Sequence, residues 1–275
     1  MPELPEVETI KESMRESVCG AIIESAVIIR RDLRVPVPSC FENMVGGHKI
    51  INLYRKAKYA IMELDNGYSI IWHFGMSGKI KISHDDSPTL QKHDHAILKT
   101  SKGTLIYNDP RRFGLITLAE SCHLNENPLF SSLGLDPFDE ELDENYLMRK
   151  LKNKVTPIKI ALLDQTIVSG IGNIYASEAL YEARISPLRP SSSLNLIEMK
   201  KLIESVRKVL CKAIEAGGST LHDYRKPNGD IGYFQFQHAV YGKTGHKCPN
   251  CICKKGILHC VQGGRSTYYC KKLQK

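Results

Sequence analysis

The change of hydrophobic period along the chain restricts the fold more than any other feature of the sequence. From Ala21 to Thr117 apolar residues come in short runs separated by turn residues, the clearest being 26–29, 60–64, 69–74, 80–82, 96–99 and 104–107. Asp65-Asn66-Gly67 and Ser101-Lys102-Gly103 read as hairpin turns between such runs. Short strands at this spacing predict an antiparallel sandwich or barrel. An acidic, turn-rich stretch over 118–145 follows, and beyond it the period is helical. Thr156-Pro157 reads as an N-cap with proline at the first helical position. Ser169-Gly170-Ile171-Gly172-Asn173 is a double turn that opens a helix from Ile174 to Ala183. Met199, Leu202, Ile203, Val206, Val209, Leu210 and Ile214 share one face of a longer helix that stops at Gly217-Gly218. The expected fold is α+β in two lobes, and 275 residues suffice for a core in each.

The first eight residues are organised in their own way. Leu4, Val7, Ile10 and Met14 fall on one helical face, which is expected to pack against an edge of the sandwich. Pro5 suits a first helical turn, and Glu6 and Glu8 complement the positive end of the helix dipole. Pro2 and Glu3 then sit just outside the helix, held in place. With Met1 removed, Pro2 presents a secondary amine, and an α-amino group titrates near ~8 against ~10.4 for lysine, leaving a useful unprotonated fraction at neutral pH. Such an amine can attack a sugar C1′, and Glu3 beside it can supply a proton. Taken alone, the stretch serves a capped terminal helix as well as a catalytic amine.

Charge is unevenly placed. Residues 1–144 carry 16 Lys+Arg against 22 Asp+Glu, a balance of −6, whereas 145–275 carry 22 against 8, a balance of +14. This segregation points to a polyanion gripped by the C-terminal half. No apolar run approaches the ~18 residues of a membrane span, and the N-terminus is acidic, unlike a secretory signal. Nine cysteines is an odd number, and five of them (248, 251, 253, 260 and 270) crowd into the last 28 residues. Reduced thiols with a local metal site fit better than a disulfide framework, so a cytoplasmic location is expected.

Further constellations fall on turns. In Tyr54-Arg55-Lys56-Ala57-Lys58-Tyr59, strand alternation is expected to place Lys56 and Lys58 on one face, where a lysine can bind phosphate or protonate a leaving group; a solvated charge cluster is the alternative. Gly75-Met76-Ser77-Gly78, Lys92-His93-Asp94-His95 and Asn108-Asp109-Pro110-Arg111-Arg112-Phe113-Gly114 lie at strand ends. Met76 and Phe113 are unusual on turns, and an apolar wedge beside an arginine is what fills the hole left by an extruded nucleotide. A metal at His93-Asp94-His95 is disfavoured by the spacing. The glycine turn before Asn173, with Lys154 and Lys159 close in sequence, suits phosphate, a tight structural corner being the alternative. Cys248-Pro249-Asn250-Cys251 is a zinc knuckle by spacing, with Cys270 a third ligand. A second knuckle would end at position 273, which is Leu273, so the fourth ligand is open among His246, Cys253 and water, Cys253 being a candidate. Arg265 sits just past a turn at Gly263-Gly264.

Together MPELPEVET, RKAKY, HFGMSG, KHDH, NDPRRFG, LLDQTIVSGIGNIYASEAL and GGRSTYYC resemble the bacterial formamidopyrimidine-DNA glycosylase (Fpg/MutM) family over essentially the whole chain. The resemblance implies an N-terminal antiparallel β-sandwich with an N-terminal helix (1–133), a helix-two-turn-helix bundle (134–237) with a lesion-capping loop at 219–237, and a zinc-finger-type β-hairpin (238–275). It implies a bifunctional glycosylase/AP lyase that removes oxidised purines from double-stranded DNA by Schiff-base formation and β,δ-elimination. Pro2 is then the nucleophile, Glu3 the general acid, Lys58 acts in β-elimination and Arg265 in δ-elimination. Met76, Arg111 and Phe113 fill the void of the flipped base. Glu6, His93, Lys154, Lys159 and Asn173 contact substrate or DNA. One structural zinc, a monomer and no membrane partner are expected. Departing from the family's CxxC, sixteen residues, CxxC pattern, the gap from Cys251 to Cys270 here is 18 residues. An endonuclease VIII-type enzyme for oxidised pyrimidines and a non-catalytic DNA-binding relative are the alternatives; NDPRRFG and the MPELPE start favour the purine enzyme.

Overall fold

The computed structural model describes residues 2–85, 87–219 and 232–275. It divides into two units, Met1–Ser131 with Ala216–Gln235, and Ser132–Glu215 with Phe236–Lys275.

The first unit is a β-sandwich. One antiparallel sheet has the order β1 (Ile23–Ile28), β6 (Asp94–Thr100), β7 (Gly103–Asn108), β5 (Lys79–Ser83). The other has the order β2 (Ile50–Lys56), β3 (Tyr59–Leu64), β4 (Tyr68–His73), β8 (Leu115–Glu120). The two predicted hairpin turns join β3 to β4 and β6 to β7. A five-residue helix, α2 (Phe41–Val45), buries Phe41 and Val45. The opening helix α1 (Leu4–Val18) touches β2 and β3 of one sheet and β5 and β7 of the other. It therefore covers the side on which the edge strands β2 and β5 lie, as its apolar stripe predicts, and such covering protects edges from foreign pairing. Val7, Ile10 and Met14 join Leu53, Met62, Trp72, Phe74, Leu105 and Tyr107 in one core. Each large side chain so buried contributes roughly 1.5–3 kcal/mol.

The second unit holds α3 (Glu144–Leu151), α4 (Ile158–Leu163), α5 (Asn173–Ala183), α6 (Leu196–Glu215) and the hairpin β9 (Leu258–Gln262)–β10 (Arg265–Tyr269). Helix α6 buries the predicted face from Met199 to Leu210, with Ala213 in the last buried position. Helix α4 begins one residue later than its sequence suggests. Pro157 is the N-cap, and the Thr156 carbonyl accepts Ser191 N–H at 2.9 Å and Ser191 Oγ at 2.6 Å, which engages it outside the helix. The turn between α4 and α5 is built on Gln165, whose Oε1 accepts from Gly170 N–H at 2.9 Å while Nε2 donates to the carbonyls of Leu163 and Ile171. Arg184, left-handed at φ 62°, closes α5. Among the described residues no helix is long and apolar enough to cross a membrane.

Candidate active site and nucleic-acid interface

Pro2 and Glu3 are buried ahead of α1. Glu3 is the N-cap in extended conformation, and Glu6 closes a reciprocal capping box with it, its Oε2 accepting Glu3 N–H at 2.8 Å. The other oxygen, Oε1, accepts Ser219 N–H at 2.8 Å. Gly218, at φ +79°, lies so close that a Cβ there would stand 2.9 Å from Glu6 Oε1. One carboxylate thus fixes both the segment bearing Pro2 and the start of the segment 219–237. That segment's ends are cross-linked by Tyr233 N–H to Ala216 O and Phe234 N–H to Gly218 O. Residues 220–231, within the predicted lesion-capping loop, lie outside the described residues.

Lys58 is not on a strand. Lys56 pairs with Tyr59, so Ala57 and Lys58 form a two-residue hairpin turn, with Ala57 at φ 53°. Strand alternation stops at Lys56 because the chain reverses there, and the two lysines part. Lys56 donates to Asn125 Oδ1 and lies 5.4 Å from the Phe130 ring. Lys58 is buried, and its charge reaches His73. The turn is tied to α1 by Arg55, which meets Glu8 Oε2 at 2.8 Å and the Ala57 carbonyl at 3.0 Å.

The buried carboxylate of Asp109 builds the turn that presents Met76, Arg111 and Phe113. Oδ1 accepts from Ser77 Oγ at 2.5 Å and Arg111 N–H at 3.3 Å; Oδ2 accepts from Gly114 N–H at 2.9 Å and the Tyr107 hydroxyl at 3.2 Å. Burial, then this carboxylate, pushes the Tyr107 phenol well above its ordinary range, so it stays a donor. Gly75 and Gly114 permit the close approach of the two turns: a Cβ at Gly75 would lie 2.4 Å from the Phe113 backbone, and one at Gly114 1.8 Å from the Tyr107 hydroxyl. Met76 and Phe113 remain exposed, with the Arg111 guanidinium 4.8 Å from the Phe113 ring centre. An open pocket of about 330 Å³ is lined by Arg34, His73, Gly75, Met76 and Phe113. Burial first, then the charges of Arg34 and Lys58, hold His73 down to about 4. Its Nδ1 is therefore free to accept Gly75 N–H at 3.1 Å. His93 is half-buried, and its carbonyl accepts Asp109 N–H at 3.0 Å. Asp94 binds Lys81 and Asn108, and His95 Nε2 meets the Asp109 carbonyl, so both serve the fold.

In the second unit Arg265 is exposed directly after the Gly263-Gly264 turn, where both glycines have positive φ. Lys154 is exposed just ahead of α4. Lys159 is fully buried, and its ammonium donates to Ser266 O and Thr267 Oγ1, each at 2.7 Å. Asn173 Nδ2 reaches the same Ser266 carbonyl at 3.0 Å. The structure thus brings Lys159, Asn173 and the Arg265 hairpin together.

The Sγ atoms of Cys248, Cys251, Cys253 and Cys270 all lie within 4.8 Å of one another, with Cys270 3.5 Å from Cys251 and 3.6 Å from Cys253. Tetrahedral zinc with sulfur at ~2.3 Å has ligand–ligand edges of about 3.8 Å, so these four cysteines fit it. Cys253 occupies the fourth corner, Leu273 packs against the small core beside the cluster, and Cys260 lies apart on β9.

Arg34 stands outside the motifs singled out in the sequence, and His73 and Asp109 lie within them without a role of their own. The ending His73-Phe74-Gly75 of a strand was a usable signal for His73; the hub role of Asp109 follows from contacts between two turns 32 residues apart and has no local signature.

Residues 1–116 match the formamidopyrimidine-DNA glycosylase N-terminal domain, and 133–225 match the H2TH domain of the same enzyme. The chain is 42% identical over 284 residues to formamidopyrimidine-DNA glycosylase of Dinoroseobacter shibae, covering all of both chains. Its structure is similar to that of MutM (Fpg) from Thermus thermophilus, with TM-score 0.86, 38% identity and coverage of 99% of this chain and 98% of the other. It is also similar to a Lactococcus lactis Fpg variant complexed with DNA containing Fapy-dG, with TM-score 0.90, 33% identity and full coverage of both. The chain belongs to the formamidopyrimidine-DNA glycosylase family.

Proposed function

We propose that this protein is a DNA glycosylase and AP lyase that excises oxidised purines from duplex DNA in base excision repair. The observation that carries the reading is the N-terminus itself: Pro2 and Glu3 are buried and fixed by Glu6 at the mouth of α1. Relatives bearing the glycosylase name, and a neighbour bound to Fapy-dG DNA, support the substrate class.

With Met1 removed, the Pro2 nitrogen attacks C1′, the glycosidic C1′–N bond to the base breaks with its electron pair on the base, and the proton shed by the Pro2 nitrogen balances that charge. Glu3 gives the proton needed by the ring oxygen as the sugar opens. Because Pro2 is a secondary amine, the resulting iminium is permanently cationic and draws electrons from the neighbouring carbons. Loss of the C2′ proton expels the 3′ phosphate (β), and loss of the C4′ proton expels the 5′ phosphate (δ). Lys58, on its hairpin turn, serves the first elimination; Arg265 receives the phosphate leaving in the second. Water then hydrolyses the iminium and restores the amine.

Met76, Arg111 and Phe113 fill the space of the everted nucleotide, and His93, Lys154, Lys159 and Asn173 order the backbone, the last two through the hairpin they support. Glu6 orders the lesion side. The work divides among 1–133 for the chemistry, 134–237 for the grip on DNA and 238–275 for the hairpin. Cys248, Cys251, Cys253 and Cys270 would hold one zinc, which would tie the knuckle to the end of β10 in a structural role. The protein acts as a monomer in the cytoplasm. Comparing 8-oxoguanine with thymine glycol in otherwise identical duplexes tests the substrate class: faster excision of 8-oxoguanine is expected, and a preference for thymine glycol overturns it.

A further inference from the structure

Two five-residue strands joined by Gly263-Gly264 hold their register weakly, because so short a pair is marginal and a double glycine fits more than one turn. A slip of one residue would turn Arg265 to the opposite face. The observed register pairs Arg265 with Gln262 across the turn. Both strands are clamped beside that pair. Lys159 Nζ and Asn173 Nδ2 converge on Ser266 O, and Lys159 also donates to Thr267 Oγ1. Thr267 Oγ1 donates in turn to Gln262 Oε1 at 2.9 Å, and Gln262 Nε2 donates to Pro187 O at 3.2 Å. The relay runs from α4 through β10 and β9 to the chain after α5, and leaves Arg265 exposed. An apolar side chain would fill the place of Lys159 without desolvating an ammonium. Its acceptors, however, exist in one register only.

We propose that Lys159 is a positioning residue: through Ser266 and Thr267 it sets the register of the β9–β10 hairpin, and hence where Arg265 meets the phosphate expelled in δ-elimination. This rests on the role of Arg265 proposed above. The chemistry is unchanged: the C4′ proton departs, its electrons flow toward the iminium, and the C5′–O5′ bond breaks with its pair on the phosphate.

The test uses full-length protein and a 5′-labelled duplex with a preformed abasic site, resolving β products (3′ unsaturated aldehyde) from δ products (3′ phosphate) at matched total cleavage. Lys159→Met is expected to lower the δ:β ratio about tenfold and Thr267→Val about threefold, within the roughly hundredfold that a 1 Å misplacement of a reacting group can cost. A merely structural role lowers both products together and leaves the ratio alone. Arg265→Ala is the reference. Wild-type ratios in both Lys159→Met and Thr267→Val, with a collapsed ratio in Arg265→Ala, overturn the positioning role and spare that of Arg265. An unchanged ratio in Arg265→Ala overturns the role of Arg265, and this proposal with it. Should Lys159→Met fail to fold, Thr267→Val decides.

Discussion

Asp109 gathers four donors on two oxygens inside the first unit. In Asp109→Asn one oxygen becomes an amide NH2; the hydroxyl of Ser77 or Tyr107 can turn to accept from it, but the N–H of Arg111 or Gly114 is left facing a donor, so at least one hydrogen bond is lost in a buried place. The expected loss is about 1–3 kcal/mol in urea unfolding, together with weaker base excision as the turns bearing Met76 and Phe113 loosen. His73 makes a different demand. It is neutral when folded, held down to about 4 by burial, Arg34 and Lys58, and it ordinarily titrates near 6.5. His238 is likewise held down to about 4, by burial and then Lys243. Since the unfolded chain binds more protons between pH 6.5 and 4, stability falls as pH falls through that window. At pH 5 each histidine accounts for on the order of 2 kcal/mol. Urea midpoints measured from pH 7 to 5 check this, and His73→Gln is expected to flatten part of the slope.

At the scale of elements, the cysteine loop shows what spacing carries and what it omits. The knuckle at Cys248 and Cys251 was legible because two cysteines with two residues between them suit one metal. The fourth corner was open because it depends on how the loop folds back on the end of β10, where Cys253 meets Cys270. Cys253→Ser is expected to lower bound zinc from about one per chain to well under half, and Cys260→Ser to leave it unchanged, as elemental analysis of the purified proteins would read. Zinc retained in Cys253→Ser and lost in Cys260→Ser would assign the ligands differently. The RKAKY hairpin failed in a similar way: period two continues through Ala57 on paper, whereas a positive φ there turns the chain. The start and the buried face of helix α1 were readable because its stripe, its proline and its acidic first turn agree.

For the whole molecule, the change of period foretold a sandwich or barrel followed by a helical unit, since each period buries a face only within its own kind of element. Strands β2 and β8 carry weaker alternation and were read less clearly. The partition of charge has a thermodynamic consequence. A balance of +14 over residues 145–275 implies several neutralised phosphates. The plot of log affinity against log salt for an undamaged duplex is expected to slope more steeply than about −3. A flat dependence would remove the polyanion argument. The central claim is that the Pro2 nitrogen forms the covalent link to C1′. Borohydride reduction during turnover on 8-oxoguanine DNA, followed by proteolysis and mass spectrometry, reads it directly. The predicted result is a deoxyribose remnant on the peptide that begins at Pro2; an adduct on Lys58, or none on a chain lacking Met1, would contradict it.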